Sequence, residues 1–124
     1  MEIKKMREIK FRAWNVLDKK MLNWGDIFHL PAWEIFPGTP EQRPFNIMQY
    51  TGMEDKNGRE IYEGDIIKYD DAGGEAHTQV VRYDDEMGAF GCDRGALMDH
   101  FNCMWEIEVL GNIYENPEIL KDTK

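Results

Sequence analysis

Three carboxylates lie close together around one glycine and are the first candidates for chemistry in this chain. Glu60, Glu63 and Asp65 flank Gly64. Carboxylate oxygens are preferred ligands of Mg²⁺, and a bound Mg²⁺ can activate water for phosphodiester cleavage. The same pattern is typical of a tight turn, in which glycine permits the bend while aspartate accepts a backbone hydrogen bond and solubilises the turn. We favour the structural interpretation, in which Gly64 and Asp65 shape a turn and begin the next strand.

Cysteines and histidines form a second group of candidates. His100 and Cys103 have the spacing of zinc ligands, and Cys92 with Asp99 or His77 could complete a site. Structural zinc sites normally contain two closely spaced ligand couples, whereas this sequence contains one. Cys103 with His77 or His100 could also form a nucleophilic pair, but the local sequence supplies neither a strained turn nor oxyanion donors. We therefore predict no catalytic residues, no metal site and no cofactor.

Aromatic residues beside cations indicate a candidate interaction surface. Lys10, Arg12 and Trp14 alternate with apolar residues near the N-terminus, and Trp24 and Trp33 follow them. Barrels of the OB type use aromatic side chains and cations to stack and hold single-stranded nucleic acids. Tryptophans more often fill cores and the contacts between subunits. These five residues are the predicted interaction surface.

The charge of the chain argues against a general polyanion binder. The 124 residues carry a net charge of -9, and the isoelectric point is near 4.8. Residues 1–20 nevertheless carry +4, which leaves -13 on the remainder. Because phosphate contacts require excess cations, the basic segment is interpreted as an edge strand that complements an acidic body.

The length and the apolar content fit one domain, residues 1–124, with an N-terminal arm and a body. Residues 37–44 hold three of the five prolines and end the arm, residues 1–44, so that the body spans residues 45–120. No run approaches the roughly 20 apolar residues that span a bilayer, and the charged N-terminus lacks the apolar stretch of a signal peptide. With two cysteines and no disulfide framework, we predict a cytoplasmic protein without a membrane partner.

Alternating apolar residues and turn residues predict a mainly β fold. The pair Asn57-Gly58 is a strong hairpin signal, typical of a type I′ turn in which both residues have positive φ. Asn116, Pro117 and Glu118 predict a short helical turn at the C-terminal end. The predicted strands are residues 8–14, 20–24, 45–50, 49–53 paired with 59–62, 65–69, 78–83, 89–92 and 104–110. The expected architecture is a small β-barrel, similar in size to SH3 and OB domains.

Three segments of the chain resemble one protein family. They are residues 10–14 with Met21, residues 48–52 followed by 55–66, and residues 109–117. In order and spacing they resemble the YopX family of small bacteriophage and prophage proteins over residues 8–120. The resemblance implies a mostly β, barrel-like fold and a phage or prophage origin. It implies no activity, because the family brings no catalytic residues with it; residues 31–44 and 93–103 match it least.

The function expected from the sequence is a non-enzymatic phage or prophage accessory protein, a protein–protein interaction module. Its partner would be a host or phage protein, and its basic arm and acidic body favour a homo-oligomer. The first alternative is a binder of single-stranded nucleic acid that uses the basic N-terminal arm. The second is a metal-dependent nuclease that uses Glu60, Glu63 and Asp65.

Overall fold

Strands make up most of the structure, a computed structural model that describes residues 8–31, 45–70, 73–85, 89–92, 95–96 and 106–121. The strands in these ranges are β1 (Phe11–Asn15), β2 (Lys20–Leu22), β3 (Phe45–Glu54), β4 (Glu60–Tyr62), β5 (Asp65–Asp70), β6 (Ala76–Val80), β7 (Arg82–Asp84), β8 (Ala89–Cys92), β9 (Gly95–Ala96) and β10 (Glu108–Asn112). Two single-turn helices accompany them, α1 (Trp24–Ile27) and α2 (Glu118–Lys121). The mainly β fold and the short C-terminal helical turn are therefore confirmed. Within these ranges, neither α1 nor α2 has the length and hydropathy of a membrane-spanning helix.

The described strands form three antiparallel sheets rather than a closed barrel, so the predicted barrel is wrong in this respect. Their orders are β2-β1-β3-β4, β10-β5-β6 and β7-β8-β9, and together they curl into a half-barrel. The predicted strand over residues 78–83 is divided at Val81. The Val81 amide donates to the Asp65 carbonyl (2.9 Å), and the Val81 carbonyl accepts from the Gly64 amide (2.8 Å). β6 and β7 consequently belong to different sheets.

The main core lies around β5, in which Asp65, Ile66, Ile67 and Tyr69 are buried while Lys68 and Asp70 are exposed. Ile66 and Ile67 point to opposite sides of the strand and are both fully buried. The buried residues of β5 are therefore poor candidates for a contact surface. The largest cluster of buried apolar side chains contains Ile61, Ile67, Tyr69, Val81, Ile107 and Val109.

A second, smaller core lies on one face of the sheet that contains β1. Ala13 and Ile27 are its buried members, so α1 is held against β1. Partly buried apolar side chains surround this pair: Phe11, Leu22, Trp24, Leu30, Phe45 and Ile47. The face of β1 that the alternation identifies as apolar is thus covered by a single helical turn.

The hairpin between β3 and β4 differs in type from the predicted one. Gly58 has a φ of 82°, whereas the φ of Asn57 is not positive. Among the residues that the structure describes, Lys19 is the one non-glycine residue with positive φ. The Gly58 amide donates to the Asp55 carbonyl (3.0 Å), and the Asp55 amide donates to the Arg59 carbonyl (2.7 Å). This is the three-residue loop that ends in a left-handed glycine, not the type I′ turn.

Candidate interaction surface

β1 turns its cationic face inward, toward β4 and β5, and its apolar face outward, toward α1. Arg12 is only 9% exposed, and Ala13 packs with Ile27 on the opposite side. Side chains alternate across a strand, so Lys10 and Trp14 share the inner face with Arg12. The three N-terminal members of the predicted surface thus lie together, but on the side that faces the body.

Arg12 joins β1 to the turn between β4 and β5. Its Nη2 atom lies 2.7 Å from Asp65 Oδ1 and 3.2 Å from the Glu63 carbonyl oxygen. Its guanidinium lies 4.7 Å from the centroid of the Tyr62 ring. A buried arginine requires such partners, since an unpaired charge is costly in the protein interior. Arg12 is consequently not available as a surface cation.

Asp65 completes this connection from the other side. It is 1% exposed, and its Oδ2 accepts a hydrogen bond from the Tyr62 amide (2.7 Å). Burial raises the pKa of Asp65, while the charge of Arg12 and the Tyr62 amide oppose that rise. The predicted backbone hydrogen bond is confirmed, as is the bend at Gly64, whose φ is 84°. The prediction that Asp65 solubilises the turn is wrong, because its carboxylate is buried against Arg12.

Lys10 lies between two carboxylates on the same inner face. Its ammonium contacts Glu60 and lies 2.7 Å from Glu8 Oε1, and it stands 4.9 Å from the Tyr50 ring centroid. Hydrogen bonds to Glu60 and Glu8 raise the pKa of Lys10. The Tyr62 hydroxyl donates to Glu60 Oε1 (3.2 Å), and burial raises the pKa of Tyr62 to about 12. This phenol stays protonated at neutral pH and is no general base.

The carboxylates proposed for metal binding already have protein partners. Glu60 binds Lys10, Asp65 binds Arg12, and Glu63 Oε1 accepts a hydrogen bond from the Gln49 amide (2.7 Å). Across the described part of the chain, no group of three or more His, Cys, Asp or Glu residues is placed to hold a metal ion. The protein partners of Glu60, Glu63 and Asp65 support the structural interpretation of these three residues.

Trp14 also belongs to an internal contact. Its ring stacks on that of Tyr114, with centroids 5.6 Å apart and planes 15° apart. Burial raises the pKa of Tyr114. One face of the Trp14 indole is thus occupied by Tyr114, the residue that connects β1 to the turn before α2. Stacking on nucleic-acid bases would have to use what remains of a half-buried side chain.

The outward side of the same sheet carries an aromatic ridge, formed by Phe11, Trp24 and Phe28. Adjacent ring centroids are 6.0 Å apart in both pairs, and Phe28 is 60% exposed. The His29 ring lies edge-on to Phe28 at 5.7 Å, and Ile9, which is 61% exposed, precedes Phe11 by two residues. The ridge therefore extends from the small core to the solvent.

Of the five predicted surface residues, the structure brings together the three on the inner face and separates them from Trp24. Trp24 begins α1, where the Asn23 amide donates to Asp26 Oδ2 (3.0 Å). Trp33 lies outside the described residues. Phe28 is not among the five predicted surface residues, although its spacing of four residues from Trp24 is that of neighbours on one helix face.

Most of the candidate zinc ligands and nucleophiles lie outside the residues that the structure describes. His100, Cys103 and Asp99 lie outside the described residues, and for Cys92 the backbone alone is placed, in β8. The His77 ring is 5.3 Å from the ring of Tyr69. None of these residues is brought into a described site.

Asp55 is a structural anchor that the sequence reasoning also missed. Its Oδ1 accepts hydrogen bonds from the amides of Asn57 and Arg59, and its Oδ2 accepts one from the Val109 amide, each at 2.9 Å. Burial alone would raise the pKa of Asp55, but these amides and the charge of Arg59 outweigh it, and the pKa is lowered. The position of Asp55 at the start of a turn is a local signal for its hydrogen bonds within that turn. Its hydrogen bond to the Val109 amide in β10 has no such signal in the sequence.

Comparisons with known proteins agree over almost the whole chain. A family model described as YopX protein matches residues 10–121. The crystal structure of protein EF1440 from Enterococcus faecalis has a TM-score of 0.66 and 30% identity, covering 93% of this chain and 99% of that one. The crystal structure of protein YopX from Bacillus subtilis has a TM-score of 0.54 and 18% identity, covering 91% and 98%, and shows likeness of fold. No curated protein matches the chain.

Proposed function

This chain belongs to the YopX family, and from that premise we propose that it is a non-enzymatic protein-binding module whose contact surface is the aromatic ridge. The proposal includes the phage or prophage accessory role that the family resemblance implies. The partner is a protein of the host or of the phage. The genes that flank this one test the phage origin independently of the binding.

The observation that supports this proposal is the exposure of Phe28 at the end of the ridge. Aromatic residues are enriched in the cores of protein interfaces, where they supply most of the binding energy. Phe28 packs against Trp24, which packs against Phe11, so the exposed ring is held by the small core beneath it. A side chain that is already ordered loses less conformational entropy when a partner covers it.

The internal contacts of the charged residues favour protein binding over both alternatives. The nucleic-acid alternative requires Lys10 and Arg12 to bind phosphates, but each is paired with one or more carboxylates of this chain. Of the basic arm residues that the structure describes, Lys19 and Lys20 remain exposed, which is a small cationic surface for a chain of net charge -9. A nuclease would need to release its carboxylates from Lys10, Arg12 and the Gln49 amide before they could bind a metal.

Site-specific photo-cross-linking in the host cell tests the proposed surface. A photoreactive phenylalanine analogue at position 28 should give a covalent adduct with one protein. The matched control places the analogue at Lys68, an exposed position on β5, and should not give that adduct. Equal adducts from both positions, or none from position 28, would contradict the proposal.

Purified components then test the energetic role of the ridge. With the cross-linked protein as ligand, Phe28→Ala should weaken binding by about 10-fold or more, as truncation of an aromatic anchor does. Its thermal midpoint should stay close to that of the unchanged chain, because Phe28 is mostly exposed. Unchanged affinity would place the contact elsewhere.

A further inference from the structure

The hairpin tip between β1 and β2 presents apolar and basic side chains to solvent. Leu17 is 80% exposed and Val16 is 45% exposed, and the exposed lysines Lys19 and Lys20 follow them. Two adjacent apolar side chains at a projecting tip differ from the single exposed apolar residues that are normal on protein surfaces. The tip thus combines apolar area with positive charge.

Asn15 holds this tip in one conformation. Its Oδ1 accepts hydrogen bonds from the Leu17 and Asp18 amides, both at 3.0 Å, and its Nδ2 donates to Asp18 Oδ2 (3.2 Å). Lys19 adopts a φ of 53°, which turns the chain into β2. Asp18 is therefore engaged with Asn15, and the two lysines dominate the charge of an ordered tip.

A surface of complementary chemistry lies at the end of β7. Tyr83 is 46% exposed and packs edge-on against the buried Phe90 ring, with centroids 5.3 Å apart. The carboxylates of Asp84 and Asp85 follow it, and Asp85 is exposed. Arg82 precedes Tyr83, so the negative charge lies on the Asp85 side. An aromatic surface edged by carboxylate is the counterpart of the tip.

We propose that the hairpin tip of one copy of this chain docks on the Tyr83 surface of a second copy. Leu17 covers the exposed part of the Tyr83 ring, and Lys19 and Lys20 lie beside Asp85. Complementary local charge orients the two copies, although each carries a net charge of -9. The contact uses neither Trp24 nor Phe28, and the inference does not rest on the proposed function.

The tip and the Tyr83 surface belong to different sheets, which has a consequence for the assembly. A two-fold pair makes the contact twice and closes, whereas a head-to-tail arrangement uses one contact per neighbour and forms a ring or an open filament. Both arrangements raise the mass of the particle with concentration. Sedimentation velocity and light scattering on the full chain measure that mass directly.

Substitutions at both surfaces test the contact. Leu17→Asp should weaken self-association by about 10- to 100-fold, because it removes one leucine-sized apolar contact. Asp85→Lys should also lower the mass at a given concentration. Combining Asp85→Lys with Lys19→Glu and Lys20→Glu should restore it, since the charges are exchanged between the surfaces.

The controls separate this contact from the rest of the molecule. Lys121→Glu makes a similar charge change at an exposed position of α2 and should leave the mass unchanged. Phe28→Ala should also leave it unchanged, so that failure of the proposed partner site and failure of this contact are distinguishable. Thermal melts identify any variant that has lost its fold, and the Leu17 position is exposed enough to tolerate the change.

Three results would overturn the inference. The first is a monomer at every concentration that the protein tolerates. The second is self-association that Leu17→Asp does not weaken. The third is a loss of association in Asp85→Lys that the exchanged lysines do not restore.

Discussion

At the scale of single residues, Arg12 connects two parts of the chain through a buried ion pair. Replacing Arg12 with Met preserves much of its apolar stem over Tyr62 but leaves the Asp65 carboxylate buried without its cation. We expect Arg12→Met to lower the free energy of unfolding by about 3–5 kcal/mol, the usual cost of breaking a buried pair from one side. Urea denaturation measures this loss.

The double variant Arg12→Met/Asp65→Asn controls that experiment. An asparagine oxygen can still accept the hydrogen bond from the Tyr62 amide while removing the unpaired charge. Its cost should therefore be smaller than the sum of the two single substitutions. Lys20→Met, an exposed change in β2, should stay within about 0.5 kcal/mol. Strictly additive costs would show that Arg12 and Asp65 do not stabilise each other.

Asp55 makes stability depend on pH in a defined direction. The pKa of Asp55 is lowered in the folded protein, so its contribution is fully present above the unfolded value of about 4 and is lost as the pH falls through the folded value. Asp55→Asn should cost about 1–3 kcal/mol at neutral pH, because one amide donor loses its acceptor. The difference between the two proteins should shrink on acidification.

Urea denaturation over a series of pH values measures this difference. Asp70→Asn, at an exposed position of β5, serves as the matched carboxylate control and should show a small difference at neutral pH. If the cost of Asp55→Asn stayed constant down to the pH at which the protein unfolds, the ionised carboxylate would not be the stabilising form.

At the scale of elements, the turns that bound β4 should respond unequally to substitution. Gly58 has positive φ but open space at the position of a Cβ atom, whereas a Cβ on Gly64 would lie 3.1 Å from Met48 Sδ. Gly58→Ala should cost about 1–2 kcal/mol from its left-handed conformation alone, and Gly64→Ala should cost more.

Asn57 distinguishes the observed turn from the type I′ turn. Because Asn57 has no positive φ here, Asn57→Ala should change stability by less than about 0.5 kcal/mol. Thermal or urea denaturation of the three alanine variants gives their order. A large cost at Asn57 with a small one at Gly58 would instead support the type I′ geometry.

Strand β1 shows which features the sequence could predict and which it could not. The alternation of Phe11 and Ala13 with Arg12 and Trp14 correctly predicts a strand with two unlike faces. Alternation cannot say what each face meets, because the partner of Arg12 lies 53 residues further along the chain. Helix α2 and the turn at Gly64 have local signals in the sequence and are correctly predicted, whereas the division of a strand at Val81 depends on distant backbone partners.

At the scale of the whole molecule, the distribution of charge predicts weak or absent nucleic-acid binding. The net charge is -9, and two cations of the N-terminal segment are paired internally. Since affinity for single strands depends on phosphate neutralisation, a labelled single-stranded oligonucleotide should show no change in fluorescence anisotropy even at low ionic strength. Salt-dependent binding that Lys19→Glu and Lys20→Glu abolish would reverse this expectation.

Contacts between residues that are distant in the sequence also affect the rates of folding and unfolding. Arg12 meets Asp65 across 53 residues, and Asp55 meets the Val109 amide across 54. Such distant contacts require long loops to close, which slows folding relative to local hairpins. We expect these contacts to form after the transition state, so that weakening them mainly hastens unfolding. The ion pair of Arg12 and Asp65, two residues that the sequence suggests for binding a partner or a metal, would then determine the lifetime of the folded protein.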